Sequence, residues 1–158
     1  MSEETNKDVI RRVEEAWNSQ DLGALDELFS PNFDNSATAV PGMPGGLAGA
    51  KMAHRSSMES FPDRQVFVDA LIAGGDKVTV RGHFTGTNQG GLAWLGIPAN
   101  NNAIDVNYIS IYRLEDGKVA EHWAINDVMT LMTQLGAMPA PDGATPPEQD
   151  AVAGPPPA

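Results

Sequence analysis

The chain has 158 residues, no cysteine, 41% hydrophobic residues and a formal net charge of −11 at pH 7. Its length predicts one domain with a substantial core, and the lack of cysteine excludes a disulfide framework and a thiolate metal site. The negative charge argues against nucleic acid or an anionic membrane surface as a partner. The polar first residues and the absence of a long apolar run favour a cytoplasmic protein without a secretory signal or a membrane-spanning segment.

Helical periodicity dominates the first part of the chain. Thr5 and Asp8 resemble a capping box, and the apolar residues that follow recur at helical spacing. Proline is expected to end the next two helices, at Pro31 and at Pro62. The predicted elements are a helix over residues 9–17, a helix over 21–29, a strand over 33–40, a Gly/Pro turn over 41–46 and a helix over 47–61.

The period changes to two after Pro62, which predicts strands. Turn signals over residues 74–76 and 116–117 indicate two hairpins, and Gly136 is a natural C-cap for a last helix. The predicted elements are strands over residues 65–73, 77–87, 103–114 and 118–126, a loop over 88–102 and a helix over 128–135. From Pro139 onward, seven prolines in twenty residues predict a disordered or loosely draped tail.

Helices followed by an antiparallel meander predict an α+β fold, with the helices on one face of the sheet. We expect a single domain over residues 1–138 and a separate tail over residues 139–158. A twisted sheet folded over an amphipathic helix tends to leave a pocket at its open end, and we expect the functional site there.

Asp127 is the leading candidate for chemistry. It follows the strand that carries His122 and Trp123, and it precedes an apolar helix. We expect these surroundings to remove the carboxyl partly from water, which would raise its pKa and favour general acid/base catalysis near neutral pH. Asp is also a preferred N-cap residue, and the two roles are compatible. His122 is a second catalytic candidate, although strand alternation places Asp127 on the face of Trp123 and not of His122.

Several other chemistries lack their sequence signals. The sequence has no glycine-rich nucleotide-binding motif and no Gly-x-Ser-x-Gly nucleophile motif. The three histidines, His54, His83 and His122, lack the spacing of a metal site. We therefore expect no metal and no cofactor, and a reaction carried out by acid/base side chains alone.

Further residues are candidates for substrate binding, and each also has a structural interpretation. Trp17 lies on the apolar face of the first helix, as a core residue or as a wall for a flat ligand. His83 and Asn107 lie within predicted strands. His83 is either a hydrogen-bonded core histidine or a polar group of the pocket, and Asn107 is either an amide on a solvated strand edge or a polar group of the pocket. Trp94 belongs to an apolar loop segment, which we expect to cover the pocket mouth or a dimer interface. Trp123 is a candidate if its face of the strand is the pocket face.

Short motifs in a fixed order resemble the SnoaL-like polyketide cyclase family of the NTF2-like superfold. The resemblance covers about residues 9–136, which is most of the chain. The motifs that carry it are residues 14–21 (EEAWNSQD), 61–63 (FPD), 75–81 (GDKVTVR), 86–90 (GTNQG), 96–98 (GIP), 112–119 (YRLEDGKV), 121–123 (EHW), Asp127 and 134–136 (QLG).

The resemblance implies a cone in which a curved sheet and helices enclose a pocket, usually in a dimer. It also implies cofactor-free ring closure, by an intramolecular aldol reaction, of a hydrophobic or aromatic polyketide-like substrate of secondary metabolism. Asp127 matches the position of the family's general acid/base. The chain has Asn35 and Asn88 where the family often has histidine, and an amide orients a carbonyl or a water but cannot shuttle a proton.

Three hypotheses about function remain open at this point. A cyclase or isomerase needs a lone acid in an apolar pocket. A water-adding enzyme, such as an epoxide hydrolase or a dehydratase, needs a second acid or an arginine such as Arg81 near Asp127. A non-catalytic binding protein predicts an exposed Asp127 and a pocket whose polar groups are all satisfied.

A homodimer is also expected, because a sheet with two apolar faces needs cover on both of them. The apolar residues expected on the outer face are Val66, Val78, Ile109 and Ile111.

Overall fold

The computed structural model of the protein describes residues 2–35 and 44–139. The described elements are α1 (Glu3–Asn18), α2 (Ala24–Leu28), β1 (Phe29–Asp34), α3 (Gly46–Ser60), β2 (Gln65–Gly74), β3 (Lys77–Thr87), a short 3-10 helix (Ala93–Leu95), β4 (Ala103–Glu115), β5 (Lys118–Asn126) and α4 (Val128–Gln134). None of these helices has the length and apolar character needed to cross a membrane.

The strands form one curved, unclosed sheet in the order β1-β5-β4-β3-β2. β2 to β5 pair antiparallel with their neighbours in the chain, as the turn signals predict, whereas β1 pairs with β5 in parallel. α1 packs against β2 and β3, and α3 packs against β1. The predicted α+β fold class is therefore confirmed. Residues 140–158, which make up nearly all of the predicted tail, lie outside the described residues.

α1 begins earlier than the sequence pattern predicts. Ser2 is its N-cap, and the Ser2 Oγ accepts a hydrogen bond from the Thr5 backbone N–H at 3.1 Å. Glu3 and Glu4 place negative charge where the helix dipole favours it. The prediction that Thr5 and Asp8 form the cap is wrong, because the helix extends further toward the N-terminus. The buried residues of α1 are Asn6, Val9, Ile10, Val13, Glu14 and Ala16.

The first strand also lies earlier in the chain than predicted. β1 begins at Phe29, so the predicted end of the second helix and the predicted strand start at Phe33 are both wrong. Phe29 pairs with Val119 of β5, and its ring lies 4.7 Å from that of Phe33. The burial of Phe29 in the sheet outweighs the helical spacing of apolar residues that predicts a helix up to this position. Pro31 is tolerated because β1 is an edge strand. The remainder of the predicted strand, and most of the predicted turn, falls on residues 36–43, outside the described residues.

Strand alternation gives the sheet an inner face that packs against α1 and an outer face. The inner side chains of β3 and β4 are mostly apolar, and the burial of each large one stabilises the fold by about 1.5–3 kcal/mol. Fully buried apolar residues are Ile10, Val13, Leu25, Val78, Val80, Val106 and Val119.

The outer face of the sheet carries exposed apolar side chains, among them Ile109, which is 51% exposed. Val66 and Val78 do not belong to this face, because they are only 9% and 0% exposed and lie in the core. The expectation that they line a dimer surface is therefore wrong. The cause is the register of the sheet: Val78 pairs with the inner residue Tyr112, whereas Ile109 and Ile111 alternate with the inner residues.

Candidate functional site

A cavity of about 290 Å³ lies between the inner face of the sheet and the helices. This volume is close to the lower end of the range for small-molecule sites. Trp17, Phe29, Phe33 and Phe84 give it aromatic walls. Its polar lining consists of Glu14, Asn35, His54, Ser57, Arg64, Tyr108, Ser110, Tyr112, His122 and Asn126.

Glu14 is the carboxyl group of this cavity. It follows Ile10 by four positions and Val13 by one, so the helical repeat turns it toward the core with them. The side chain is buried, and its Oε1 accepts a hydrogen bond from the Tyr112 hydroxyl at 2.9 Å. Burial raises the pKa of the Glu14 carboxyl, while the bond from Tyr112 and the charge of Arg64 oppose the shift. A raised carboxyl pKa suits proton transfer near neutral pH.

His122 lies beside this pair on the neighbouring strand. Its ring stacks on that of Tyr112, with the centroids 4.5 Å apart and an angle of 13° between the planes. Its Nε2 lies 3.2 Å from the Ser110 Oγ. Burial lowers the pKa of His122 to about 4, so the imidazole is uncharged at neutral pH. His122 can therefore donate or accept a hydrogen bond in the cavity, but it does not supply a positive charge there.

His54 lines the cavity from α3. In the sequence it stands out only as one of three histidines that lack the spacing of a metal site. Its ring lies 4.8 Å from that of Trp17. Burial, and after it the charge of Arg64, lowers the pKa of His54 to about 4, so this imidazole is also neutral. Within the described part of the chain, its Nε2 is buried without a hydrogen-bond partner.

Arg64 supplies the positive charge of the cavity. It follows the turn after α3, and its guanidinium carbon lies 4.9 Å from the centre of the Phe84 ring. Burial lowers its pKa, but a guanidinium remains protonated in proteins. Its Nε is buried and has no hydrogen-bond partner among residues 2–35 and 44–139.

Tyr108 of β4 also lines the cavity. Its neighbour on β3 is Gly82, which has no side chain and so leaves room for the tyrosine ring. A Cβ at position 82 would lie 2.9 Å from the Tyr108 ring and 2.3 Å from the Phe67 carbonyl oxygen, so only glycine fits there. Burial, and after it the charge of Glu14, raises the pKa of the Tyr108 hydroxyl. A weak interaction of the hydroxyl with the Glu14 carboxyl adds to this rise, but within the described residues no partner reaches the distance and angles of a full hydrogen bond.

Asp127 lies elsewhere. It is exposed and caps α4, with its carboxylate accepting bonds from the Thr130 backbone N–H at 3.0 Å and the Thr130 hydroxyl at 2.7 Å. These bonds lower the pKa of Asp127. The expectation that an apolar setting removes this carboxyl from water and raises its pKa is therefore wrong. Asp127 lines a groove of about 730 Å³ on the outer face, with Trp123 and Asn107 and without His122.

His83 and Arg81 also lie on the outer face, opposite the cavity. The His83 Nδ1 is 3.3 Å from an Asp69 carboxylate oxygen, and its ring stacks on Phe67 at 4.9 Å. Arg81 pairs with Asp69 at 3.4 Å. Arg81 thus forms a partly exposed ion pair with Asp69 and not the arrangement with Asp127 that the water-adding hypothesis would use.

Asn35 and Asn88, the two amides that the sequence resemblance singled out, lie in different surroundings. Asn35 lines the cavity, and its Oδ1 accepts a bond from the Gly46 backbone N–H at 2.9 Å. Asn88 is fully buried outside the cavity lining, where its amide binds the Pro98 carbonyl at 3.0 Å and its Oδ1 accepts from the Gly91 N–H at 2.9 Å. Asn88 thus holds the loop after β3 together. Trp94 lies in the 3-10 helix of that loop.

The structure thus brings together Trp17, Asn35 and His122 of the predicted site residues, and it adds five that sequence reasoning missed. Glu14 had a usable signal, since a carboxyl interrupts an otherwise apolar helical face. Tyr108 and Tyr112 share strand parity with Val106, which predicts an inward orientation. Nothing in the sequence marks the remaining additions. The five additional residues are Glu14, His54, Arg64, Tyr108 and Tyr112.

In the described ranges, no three His, Asp or Glu side chains are grouped in a way that would hold a metal ion. The chemistry of the cavity is instead that of one carboxyl, one guanidinium, two neutral imidazoles and two phenols.

Comparison with known proteins agrees with this architecture. The model of the SnoaL-like polyketide cyclase family matches residues 7–135, whereas a search of curated proteins found no match. The solved structure of TsrD from Streptomyces laurentii is 30% identical over 87% of this chain and 99% of that chain, with a TM-score of 0.77. AclR from Streptomyces galilaeus, named as a candidate hydroxylase, is 26% identical over 89% of this chain and 87% of its own, with a TM-score of 0.77. IdmH from Streptomyces antibioticus, named as a candidate polyketide cyclase, is 30% identical over 83% of this chain and 98% of its own, with a TM-score of 0.71.

Asp127 is expected to contribute to stability as a helix cap. Replacing it with alanine should lower the thermal midpoint by roughly 2–5 °C, while Asp127→Asn should keep most of the capping. Because its pKa is lowered in the folded state, this contribution should be present above the ordinary carboxyl range and be lost as the pH falls through the lowered pKa. Thermal unfolding of both variants at several pH values checks this. Equal midpoints for Asp127→Ala and the parent at neutral pH would contradict it.

Proposed function

Because the chain belongs to the SnoaL-like polyketide cyclase family, we propose that it is a cofactor-free cyclase that closes a ring in a small aromatic polyketide-like substrate within the interior cavity. The observation that carries this proposal is the buried Glu14 carboxyl, with its raised pKa, in a cavity with aromatic walls. Membership of the family supports the activity, and the chemistry of the cavity supports the location of the site.

The proposed reaction is an intramolecular aldol addition. The Glu14 carboxylate takes a proton from a carbon that lies between two carbonyl groups of the substrate, which leaves an enolate. The enolate carbon attacks a second carbonyl carbon of the same molecule, so a carbon–carbon bond forms and that oxygen becomes an alkoxide. The protonated Glu14 then returns its proton to the alkoxide, and the atoms and charge balance without a co-reactant.

Stabilisation of the enolate oxygen requires a donor in a site that holds little water. The Tyr108 hydroxyl suits this role, since it lines the cavity and has no partner at full hydrogen-bond geometry in the described chain. His122 is a second candidate donor, because its imidazole is neutral and lies against the ring of Tyr112. The bond from Tyr112 positions the Glu14 carboxyl and limits the rise of its pKa.

Asp127 is the rival base, since it matches the family position. Its carboxylate is exposed and is stabilised as an anion by two bonds from Thr130, which makes it a weak base for a carbon acid. Glu14 is favoured over it because the cavity offers both desolvation and walls for a flat substrate. Parallel substitution of the two carboxyl groups separates these alternatives.

Water addition is the second candidate reaction. It calls for an acid and an arginine that share a water, and Glu14 and Arg64 line the same cavity without a direct ion pair between them in the described chain. The exposed Asp127 is what a non-catalytic binding protein predicts. Such a protein also predicts a pocket whose polar groups are all satisfied, and it is less well supported because buried polar atoms of His54, Arg64 and Tyr108 have no partner among the described residues.

Glu14→Gln should fold and lose ring closure by about 10²–10⁴-fold, the usual contribution of a positioned general base. The neighbouring Glu15→Gln, which alters an exposed carboxyl on the same helix, is the matched control and should retain the parent rate. The assay follows an aromatic compound whose 1,3-dicarbonyl side chain can condense with a neighbouring ketone, by chromatography and absorbance. Chromatography also detects a hydrated product.

The pH profile gives the same assay a second readout. The rate should rise with pH through a pKa above the ordinary carboxyl range. In the parent protein the hydrogen bond from Tyr112 lowers the Glu14 pKa, so Tyr112→Phe should raise that pKa and move the rise in rate to higher pH. If Glu14→Gln retains the parent rate while Asp127→Asn loses it, the base is Asp127 and the assignment to Glu14 fails.

We further propose that the protein forms a homodimer through the outer face of the sheet. Across that face Ile109 pairs with Ile125, and Ile111 pairs with Trp123. Large apolar side chains therefore lie side by side there, in a patch of the kind that monomeric proteins rarely leave in water. Its groove of about 730 Å³ is mainly apolar in lining. The apolar residues that line or flank this face are Phe67, Ile72, Ile109, Ile111, Trp123 and Ile125.

Ile109→Glu should convert the dimer to a monomer, because it buries a charge at the centre of the proposed interface without a partner. Met52→Glu is the control, since Met52 is an exposed apolar residue of α3 with 47% exposure, on the other side of the molecule. Light scattering at micromolar concentration measures the mass. A monomeric parent protein, or a dimer that survives Ile109→Glu unchanged, would refute this interface.

A further inference from the structure

Arg64 is a charged side chain without a counter-ion. Its side chain makes no ion pair within 4.0 Å and donates no hydrogen bond in the part of the chain that the structure describes. The partly exposed Arg113, by contrast, lies 2.6 Å from a Glu121 carboxylate oxygen, and the exposed Arg81 pairs with Asp69. The half-buried Arg64, whose Nε is withdrawn from water, is thus less well paired in the described chain than these other guanidinium groups, which leaves a buried donor unsatisfied.

Packing on Phe84 does not remove this deficit. A ring under the guanidinium satisfies one face of the plane through a cation–π contact, at 4.9 Å from the ring centre. The five N–H donors lie along the edge of the plane and need acceptors. The other groups of the cavity do not supply them as charges, since His54 and His122 are neutral and the tyrosines are uncharged at neutral pH.

Glu14 is the one carboxyl group among the described residues that line the cavity, and it is already hydrogen-bonded to Tyr112. Its carboxylate accepts the bond from Tyr112, and it interacts with Arg64 through its charge without forming an ion pair within 4.0 Å. The cavity therefore holds a guanidinium whose fork remains open, next to aromatic walls. A planar anion is the chemical complement of that fork, because a carboxylate accepts two parallel N–H bonds from one guanidinium.

We propose that Arg64 binds a carboxylate group of the substrate, and that the natural ligand of the cavity is therefore a small aromatic or otherwise flat carboxylic acid. This deepens the proposed function and depends on it for the location of the site, while adding a specificity that the cyclase reaction does not require. Arg64 anchors one end of the ligand beside Phe84, and Trp17 forms a second wall. The reacting carbonyl groups then lie toward Glu14.

The test compares 2-naphthoate with its neutral isostere 2-naphthamide by titration calorimetry at pH 7. Both have the same ring system and nearly the same shape, so the difference reports the charge. The parent protein should bind the naphthoate roughly 10- to 100-fold more tightly, the range expected for hydrogen bonds to a charged group. Arg64→Gln should abolish this preference and leave the affinity for the naphthamide within about threefold.

Two further variants keep the result interpretable. Arg81→Gln removes a guanidinium that lines the outer groove and should leave the preference intact. Arg64→Lys keeps the charge without the fork and should retain only part of the preference, which also covers the case in which Arg64→Gln does not fold. Circular dichroism and the naphthamide affinity check folding.

The proposal is overturned if the parent protein binds neither ligand or shows no preference for the naphthoate. It is also overturned if Arg64→Gln or Arg64→Lys keeps the full preference. A loss of the preference in Arg81→Gln would overturn it as well. The titration requires no turnover. A protein that binds the naphthoate through Arg64 but closes no ring refutes the proposed cyclase activity and leaves the anion site standing, whereas ring closure without an Arg64-dependent preference refutes the anion site alone.

Discussion

The hydrogen bond from Tyr112 to Glu14 is the contact on which the interior of this protein depends. It joins α1 to the centre of the sheet across 98 positions of sequence, with both side chains withdrawn from water. Burying a carboxyl costs free energy that a single bond from a phenol offsets only in part, and the remaining cost appears as the raised pKa of Glu14. The same contact fixes the Tyr112 ring on which His122 stacks. A core built only for stability would fill this position with an apolar residue, so the acid indicates a use for its proton.

The alternation of the sheet decides which side chains can act together. Along β5, His122 and Asn126 line the cavity. Trp123 lines the outer groove, and so does Asp127, which directly follows the strand. A catalytic pair of His122 and Asp127 would therefore have to act across the sheet. The two faces have different chemistry as well. The cavity combines aromatic walls with polar atoms that have no partner among the described residues. The outer groove is mainly apolar and carries the exposed Asp127 carboxylate, which caps α4. This contrast supports the proposals that ligands bind on the inner face and that a second subunit covers the outer face.

The sequence predicts the architecture well, because hydrophobic periodicity and turn chemistry are local signals. The strands β2 to β5 and the hairpin turns were predicted to within one residue for that reason. β1 was displaced because its parallel pairing with β5 is a contact between distant segments that no local pattern encodes. The candidate site was harder to predict. Asp127 has the expected neighbours in sequence, but its carboxylate turns toward Thr130 and water. Arg64 becomes notable only when three-dimensional packing buries its Nε without a partner among the described residues.

The central claim is that ligands bind in the interior cavity and not in the outer groove, and Trp17 and Trp123 report on these two places separately. The most direct measurement is a ¹H–¹⁵N spectrum of protein labelled at tryptophan, titrated with 2-naphthoate, with the three indole resonances assigned by Trp→Phe substitutions. The account predicts that the Trp17 resonance shifts in a saturable manner, that the Trp123 resonance stays in place, and that Arg64→Gln weakens the titration. A saturable shift of Trp123 with an unchanged Trp17 would place the ligand on the outer face and contradict the account.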